Sequence, residues 1–110
     1  ALLKTRRIDE AIVALEIAAS LAPDDAETHN LLGFALALNP ARRGQAIEEL
    51  QKAVSLNPGL ESAHANLGRL LALDPVRRAE ATEELQAALR LNPADSGIRT
   101  LLDQLESTAK

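Results

Sequence analysis

Residues 22–56 read APDDAETHNLLGFALALNPARRGQAIEELQKAVSL, and residues 57–91 repeat the pattern as NPGLESAHANLGRLLALDPVRRAEATEELQAALRL. Pro23, Pro58 and Pro93 accordingly stand 35 residues apart. The two stretches also share, at the same step, a histidine, a Leu-Gly pair, an Arg-Arg pair and a Glu-Glu-Leu-Gln run: His29 with His64, 32–33 with 67–68, 42–43 with 77–78, and 48–51 with 83–86. A fixed period of this length indicates a repeat protein in which each repeat is one supersecondary unit.

Each repeat is predicted to contain two helices. Apolar residues recur at helical spacing on either side of residues 39–40: Leu31, Leu32, Ala35 and Leu36 before, and Ala46, Leu50, Ala53 and Val54 after. Asn39-Pro40 and Asp74-Pro75 place an N-cap residue before a proline at the first helical position. Asn57-Pro58 ends the second helix, because a residue before proline disfavours helical backbone. We expect helices at about 5–20, 25–38, 40–56, 60–73, 75–91 and 95–107.

The repeat predicts one array with two different ends. Residues 1–20 align with the second half of a repeat, residues 21–55 and 56–90 are whole repeats, and residues 91–110 form a C-terminal capping helix. Asp103 and Glu106 stand where the whole repeats have Gly and Leu, which gives the last helix the polar outer face typical of a cap. The first helix lacks a partner of its own, so we expect further repeats ahead of it.

Composition excludes several classes of function. Alanine and leucine supply 21 residues each, Phe34 is the single aromatic residue, and the chain has no cysteine. Thiolate nucleophiles, thiolate zinc sites and disulfides are therefore excluded. A net charge of −4 gives no overall attraction to nucleic acid, and no apolar run approaches the ~20 residues of a membrane span.

Catalytic constellations are also missing from the sequence. It has no glycine-rich phosphate loop and no Ser-His-acid arrangement that the repeat would assemble. We expect neither an enzyme nor a cofactor or metal site. The absence of cysteine leaves the compartment open, with the cytoplasm favoured over the periplasm, and the Ala, Leu and Arg content suggests a bacterial source.

The pattern resembles the tetratricopeptide repeat (TPR), whose signature includes Leu-Gly, Ala, Leu and Pro at fixed offsets over about 34 residues. The matching residues are Leu32-Gly33, Leu36, Ala46, Leu50, Ala53 and Pro58, and again Leu67-Gly68, Leu71, Ala81, Leu85, Ala88 and Pro93. The chain departs from the family by having His29 and His64 at the Trp place, Leu36 and Leu71 at the Tyr place, and one extra residue in the turn. The resemblance implies an all-α, right-handed α-solenoid of antiparallel helix pairs with about six helices.

The resemblance also implies a function, because TPR domains bind peptides or protein segments in a concave groove lined by the first helix of each repeat. The groove residues carried over to this chain are Glu27, Asn30, Phe34, Ser62, Ala65, Asn66, Arg69, Thr100 and Gln104. We therefore expect a protein-protein interaction module that belongs to a larger scaffold or assembly protein and has a protein or peptide partner.

Three groove residues have specific roles in this hypothesis. Asn66 holds a ligand's backbone, since a side-chain amide both donates and accepts; the alternative is a hydrogen bond within the array. Arg69 pairs with a ligand carboxylate or, alternatively, with a neighbouring Glu. Phe34 is an exposed hot spot or packs against Ala65. Family members that bind chaperone tails use Lys and Asn where this chain has Asn30 and Phe34, so we do not expect that ligand.

Two further sets of residues are assigned structural roles. His29 and His64 replace the packing Trp and stand too far apart to share a metal ion, so we expect packed histidines. The arginine pairs 6–7, 42–43 and 77–78 predict a basic ridge along the turns, which nearby Glu48-Glu49 and Glu83-Glu84 can offset.

Self-assembly is the alternative function. Ile12, Leu15 and Ile17 on the first helix form an apolar stripe that is predicted to be exposed, and it could pair with a second copy to give a homodimer.

Overall fold

A computed structural model describes residues 2–108, with side chains described for residues 6–107. This part of the chain forms six α-helices: α1 (Leu2–Leu21), α2 (Ala26–Ala37), α3 (Arg43–Leu56), α4 (Glu61–Leu71), α5 (Arg78–Leu91) and α6 (Ser96–Thr108). They build the expected all-α, right-handed solenoid of antiparallel helix pairs, in which α2 packs on α3 and α4 packs on α5. Ala1, Ala109 and Lys110, at the ends of the expected partial repeat and capping helix, lie outside the described residues.

Helices α3 and α5 begin three residues later than predicted. Pro40–Arg42 and Pro75–Arg77 form single 3₁₀ turns that precede the α-helices. Asn39 Oδ1 accepts a hydrogen bond from the Ala41 N–H at 3.0 Å, and Asp74 Oδ1 accepts one from Val76 N–H at 3.0 Å. The expected caps are therefore present, but each of them caps the tighter turn.

The repeated small residues allow α2 and α4 to approach their partner helices closely. A Cβ atom added at Gly33 would lie 2.6 Å from Leu50 Cγ and 3.1 Å from the Ala46 carbonyl oxygen. A Cβ atom at Gly68 would lie 2.7 Å from Leu85 Cγ. The glycines therefore permit close packing of the paired helices, with a leucine as the nearest side chain in both repeats.

The two ends of the array differ in polarity. In α6 the buried residues Ile98 and Leu102 face the core, whereas Asp103 and Glu106 are exposed. In α1, Ile12 is only 1% exposed, so the exposure predicted for it is wrong. Its side chain packs in the core with the buried residues of the neighbouring helices. Leu15 is half-buried and Ile17 is 56% exposed.

No helix in the described part of the chain combines the length and the hydropathy that a bilayer crossing requires.

Candidate functional site

Helices α2 and α4 enclose a shallow cleft of about 320 Å³ on the side of the array where the groove residues were predicted. We call it the α2/α4 cleft. Its walls are mostly apolar, with one cation and one amide at the rim: Phe34, Ala37, Leu50, Asn66, Arg69, Leu70 and Leu73. A mostly apolar recess with few polar groups is the usual character of a binding site.

Phe34 and Arg69 are the two large exposed side chains of the α2/α4 cleft. Phe34 is 52% exposed, so it is not buried against Ala65. Arg69 makes no ion pair with any of the described residues, so its predicted pairing with a neighbouring Glu is not observed. Its Nη2 atom lies 4.0 Å from the point where a Cβ atom added at Gly97 would stand. The guanidinium is therefore between α4 and the start of α6. An aromatic ring and a guanidinium that has no ion pair among the described residues line the same cleft, which suits a ligand with a carboxylate and an apolar side chain.

A chain of side-chain hydrogen bonds joins α2 to α4 below this rim. The Asn66 amide donates from Nδ2 to Asn30 Oδ1 at 3.0 Å, and the Asn30 amide donates from Nδ2 to Ser62 Oγ at 2.9 Å. Asn30 is 6% exposed and Ala65 is 4% exposed, so neither of these two predicted groove residues is accessible to a ligand. Asn66 is half-buried and uses one amide proton in this network, which leaves its second proton for a ligand.

The remaining predicted groove residues are exposed but do not form one cluster with the cleft. Glu27 lies in the first turn of α2, and Ser62 lies in the first turn of α4. The Thr100 hydroxyl donates to the Ser96 carbonyl oxygen at 2.9 Å, and Gln104 lies one turn further along α6. The structure therefore brings Phe34, Asn66 and Arg69 together at one cleft.

The two histidines connect the helices of each repeat, as expected for packing residues. His29 Nε2 lies 2.8 Å from the Pro23 carbonyl oxygen, and its Nδ1 lies 2.8 Å from Glu49 Oε1. His64 makes the same pair of contacts: its Nε2 lies 2.7 Å from the Pro58 carbonyl oxygen, and its Nδ1 lies 3.3 Å from Glu84 Oε1. Each histidine therefore joins the segment before the first helix of its repeat to a glutamate on the second helix.

The pairing of Glu49 and Glu84 with the two histidines was not predicted from the sequence. Glu49 and Glu84 were considered only as offsets to the arginine ridge, although each follows its histidine by 20 residues in both repeats. That repeated spacing is the signal that could have revealed them. In the described residues no three His, Asp or Glu side chains cluster as a metal site would require.

The arginines of the predicted ridge are partly paired. Arg77 donates to both carboxylate oxygens of Glu80, at 3.3 and 3.1 Å. This hydrogen bonding raises the pKa of the Arg77 guanidinium above its ordinary value. Arg42 donates from Nε to Gln45 Oε1 at 2.8 Å, and its Nη2 atom lies 3.8 Å from Glu16 Oε2. The ridge is therefore less available to an acidic partner than the sequence suggests.

The architecture matches solved TPR domains over nearly the whole chain. The first TPR domain of Spaghetti (RPAP3), bound to the HSP90 peptide SRMEEVD, superposes with a TM-score of 0.85 at 19% identity and covers 97% of this chain and 83% of its own. This chain has the fold of a TPR domain. The fold implied by the Leu-Gly, Ala and Pro positions is thus confirmed.

Other TPR-fold structures give similar superpositions. The TPR2B domain of yeast Sti1, in a pHsp70 complex, has a TM-score of 0.79 at 22% identity, over 96% of this chain and 88% of that one. The Yersinia enterocolitica type III secretion chaperone SycD, with a peptide of the translocator YopD, has a TM-score of 0.81 at 13% identity, over 98% and 86%. No protein-family model and no curated protein matches the sequence.

Proposed function

We propose that this TPR domain is a protein-protein interaction module that binds a peptide segment in the α2/α4 cleft. The observation that carries the proposal is that the half-exposed Phe34 ring and the Arg69 guanidinium, which has no ion pair among the described residues, line the same apolar recess. Several structures of the same fold hold peptides, which supports a peptide as the ligand class. We further propose that the domain acts in assembly, as part of a larger scaffold.

The favoured ligand is a short segment that carries a carboxylate and an apolar side chain. The carboxylate pairs with Arg69, and the apolar side chain enters the recess beside Phe34 and Leu73. The helices hold these groups in place before binding, so the ordering cost falls mainly on the peptide. We expect a dissociation constant near micromolar, which corresponds to a binding free energy of about −8 kcal/mol.

Asn30 and Phe34 stand where chaperone-tail binders have Lys and Asn, so we propose a ligand other than such a tail.

Peptide-library selection tests this proposal. Internal and C-terminal peptide libraries are selected against the wild type, and the enriched peptides are measured against Arg69→Glu and Phe34→Ala. Arg69→Glu should weaken binding at least about tenfold, and Phe34→Ala by about 2 kcal/mol. Arg90→Glu makes the same charge change on an exposed residue of α5 and should leave affinity unchanged. Enriched peptides that bind Arg69→Glu as tightly as the wild type would place the site elsewhere.

Self-assembly is the second candidate function, and it is favoured by a stripe on another face of α1. Val13 and Ile17 are each 56% exposed and Leu21 is 82% exposed, although the first two stand where α3 has Glu48 and Lys52. Sedimentation of the wild type and of Ile17→Asp over a range of concentrations tests it. A dimer that Ile17→Asp dissociates, without loss of peptide binding, would support self-assembly through this stripe.

A further inference from the structure

Four exposed residues of α1 and of the turn after it differ in kind from the residues at the same places of the two whole repeats. They are Arg6, Val13, Ile17 and Asp24, where the whole repeats have Ala41, Glu48, Lys52 and Gly59, and Val76, Glu83, Ala87 and Ala94. Leu21 is 82% exposed and follows Val13 and Ile17 at helical spacing, so the three share one face of α1. We call Val13, Ile17 and Leu21 the α1 stripe.

The centre of the α1 stripe lies at places that the packing of the array does not cover. Helix α3 packs on both α2 and α4, yet Glu48 and Lys52 remain exposed on it. The places of Val13 and Ile17 are therefore not part of the contacts between helices of this fold. A row of apolar side chains at such places indicates contact with another molecule.

The charges beyond the two ends of the α1 stripe indicate which molecule this is. Arg6 lies seven residues, or two helical turns, before Val13, so it shares the face of the stripe. Asp24 lies in the turn that follows α1. Each of the two stands nine residues from the level of Leu15, which is midway between Val13 and Ile17. Neither Arg6 nor Asp24 forms an ion pair with any residue that the structure describes.

We propose that two copies of this chain pair through the α1 stripe, as antiparallel helices related by a two-fold axis at the level of Leu15. Val13 of each copy packs against Ile17 of the other, and Arg6 of each copy faces Asp24 of the other. The same surface is used by both copies, as a two-fold interface requires. A parallel pair would instead set the two Arg6 side chains, and the two Asp24 side chains, against each other.

The other polar residues on this face are compatible with the antiparallel pair. Glu10 stands opposite Ser20 of the other copy, and both residues are exposed. The serine hydroxyl can donate a hydrogen bond to the glutamate carboxylate. Leu21 stands opposite Asp9 at the rim of the pair, so Val13 and Ile17 form its apolar centre.

This inference deepens the self-assembly function proposed above, because it assigns the register of the two copies and the charges that select it. No residue of α1 lines the α2/α4 cleft, so the pairing leaves the cleft of each copy open. The dimer therefore presents two peptide-binding clefts. That consequence rests on the proposed peptide binding, whereas the pairing itself does not.

Charge reversal tests the register, with sedimentation velocity over a range of concentrations as the measurement. Arg6→Asp and Asp24→Arg should each raise the dissociation constant of the dimer at least about tenfold, because each change sets like charges opposite each other at two places in the dimer. The double variant should bind itself about as tightly as the wild type. Arg90→Asp makes the same charge change on an exposed residue of α5 and should have no effect.

A second variant tests the apolar centre of the pair. Val13→Glu combined with Ile17→Lys gives α1 the residues that α3 has at these places, so the helix should remain folded by circular dichroism. This variant should sediment as a monomer.

Three results would overturn the proposal: a wild-type chain that is monomeric at about 1 mM, a dimer that persists when Val13 and Ile17 are both replaced, or charge reversals that weaken the dimer without rescuing each other. None of these measurements involves a peptide, so they judge the dimer independently of the peptide site.

Discussion

Helices α1 and α3 carry the same three residues at the same spacing, yet their environments differ completely. Ala46, Leu50 and Ala53 of α3 are 0% exposed, whereas Ala11 of α1 is exposed and Leu15 is half-buried. The sequence pattern of a helix therefore defines which face is apolar, but the neighbouring helix determines whether that face is buried. In this chain the deciding neighbour is a helix with a glycine at the contact.

The difference between α1 and α3 should have its largest effect on the stability lost when Leu15 or Leu50 is truncated. Leu50→Ala should lower the free energy of unfolding by about 2–5 kcal/mol, because it leaves a cavity beneath Gly33. Leu15→Ala should cost at most about 1 kcal/mol, since its side chain is already partly in water. Urea denaturation of both variants measures the two values. Leu85→Ala is the control and should behave like Leu50→Ala; equal losses for Leu15 and Leu50 would show that a helix covers Leu15 in solution.

The same contact can be broken from the glycine side. Gly68→Leu should destabilise the chain by roughly 1–3 kcal/mol or more, because even a Cβ atom there would lie 2.7 Å from Leu85 Cγ. Gly44→Leu is the matched control: a Cβ atom at Gly44 has no neighbour within 4 Å, and leucine is the better helix former by up to about 1 kcal/mol. The thermal unfolding temperature should therefore fall for Gly68→Leu and rise for Gly44→Leu. A Gly68→Leu variant as stable as the wild type would contradict the close packing of α4 on α5.

The fold was predictable from the sequence because its determinants are local and repeated. Pro58, the Leu-Gly pair and the alanines recur at a fixed step, and two copies of one pattern remove most of the ambiguity of single residues. The starts of α3 and α5 were missed because a proline after an N-cap residue is compatible with both a 3₁₀ turn and an α-helix.

The candidate site was predictable only in part, because burial depends on neighbours that the sequence of one helix does not reveal. Asn30 was assigned to the groove by its place in α2, but α4 covers it and supplies Ser62 and Asn66 as hydrogen-bond partners. Ile12 was assigned to an exposed stripe from its spacing with Leu15, yet the two side chains lie on adjacent faces and only Ile12 is in the core. Two alternatives were open for Phe34 and for Arg69, and the structure shows both side chains exposed.

The smallest expected effect concerns the place that holds Leu31 in α2 and Asn66 in α4. Asn66→Leu makes the two helices alike and removes the hydrogen bond to Asn30 Oδ1, so this buried carbonyl oxygen loses its donor. We expect a loss of about 1–2 kcal/mol in the free energy of unfolding. Leu31→Asn, the reverse change at an exposed position, should alter it by less than about 0.5 kcal/mol. Urea denaturation measures both variants.

A double variant shows whether the loss comes from an unpaired buried amide. When both members of a hydrogen-bonded pair are replaced by apolar groups, the cost of leaving one unpaired disappears. Asn30→Leu combined with Asn66→Leu should therefore recover part of the stability that Asn66→Leu alone removes. If the two changes instead add independently, the Asn30 and Asn66 amides contribute nothing to stability through their contact between α2 and α4.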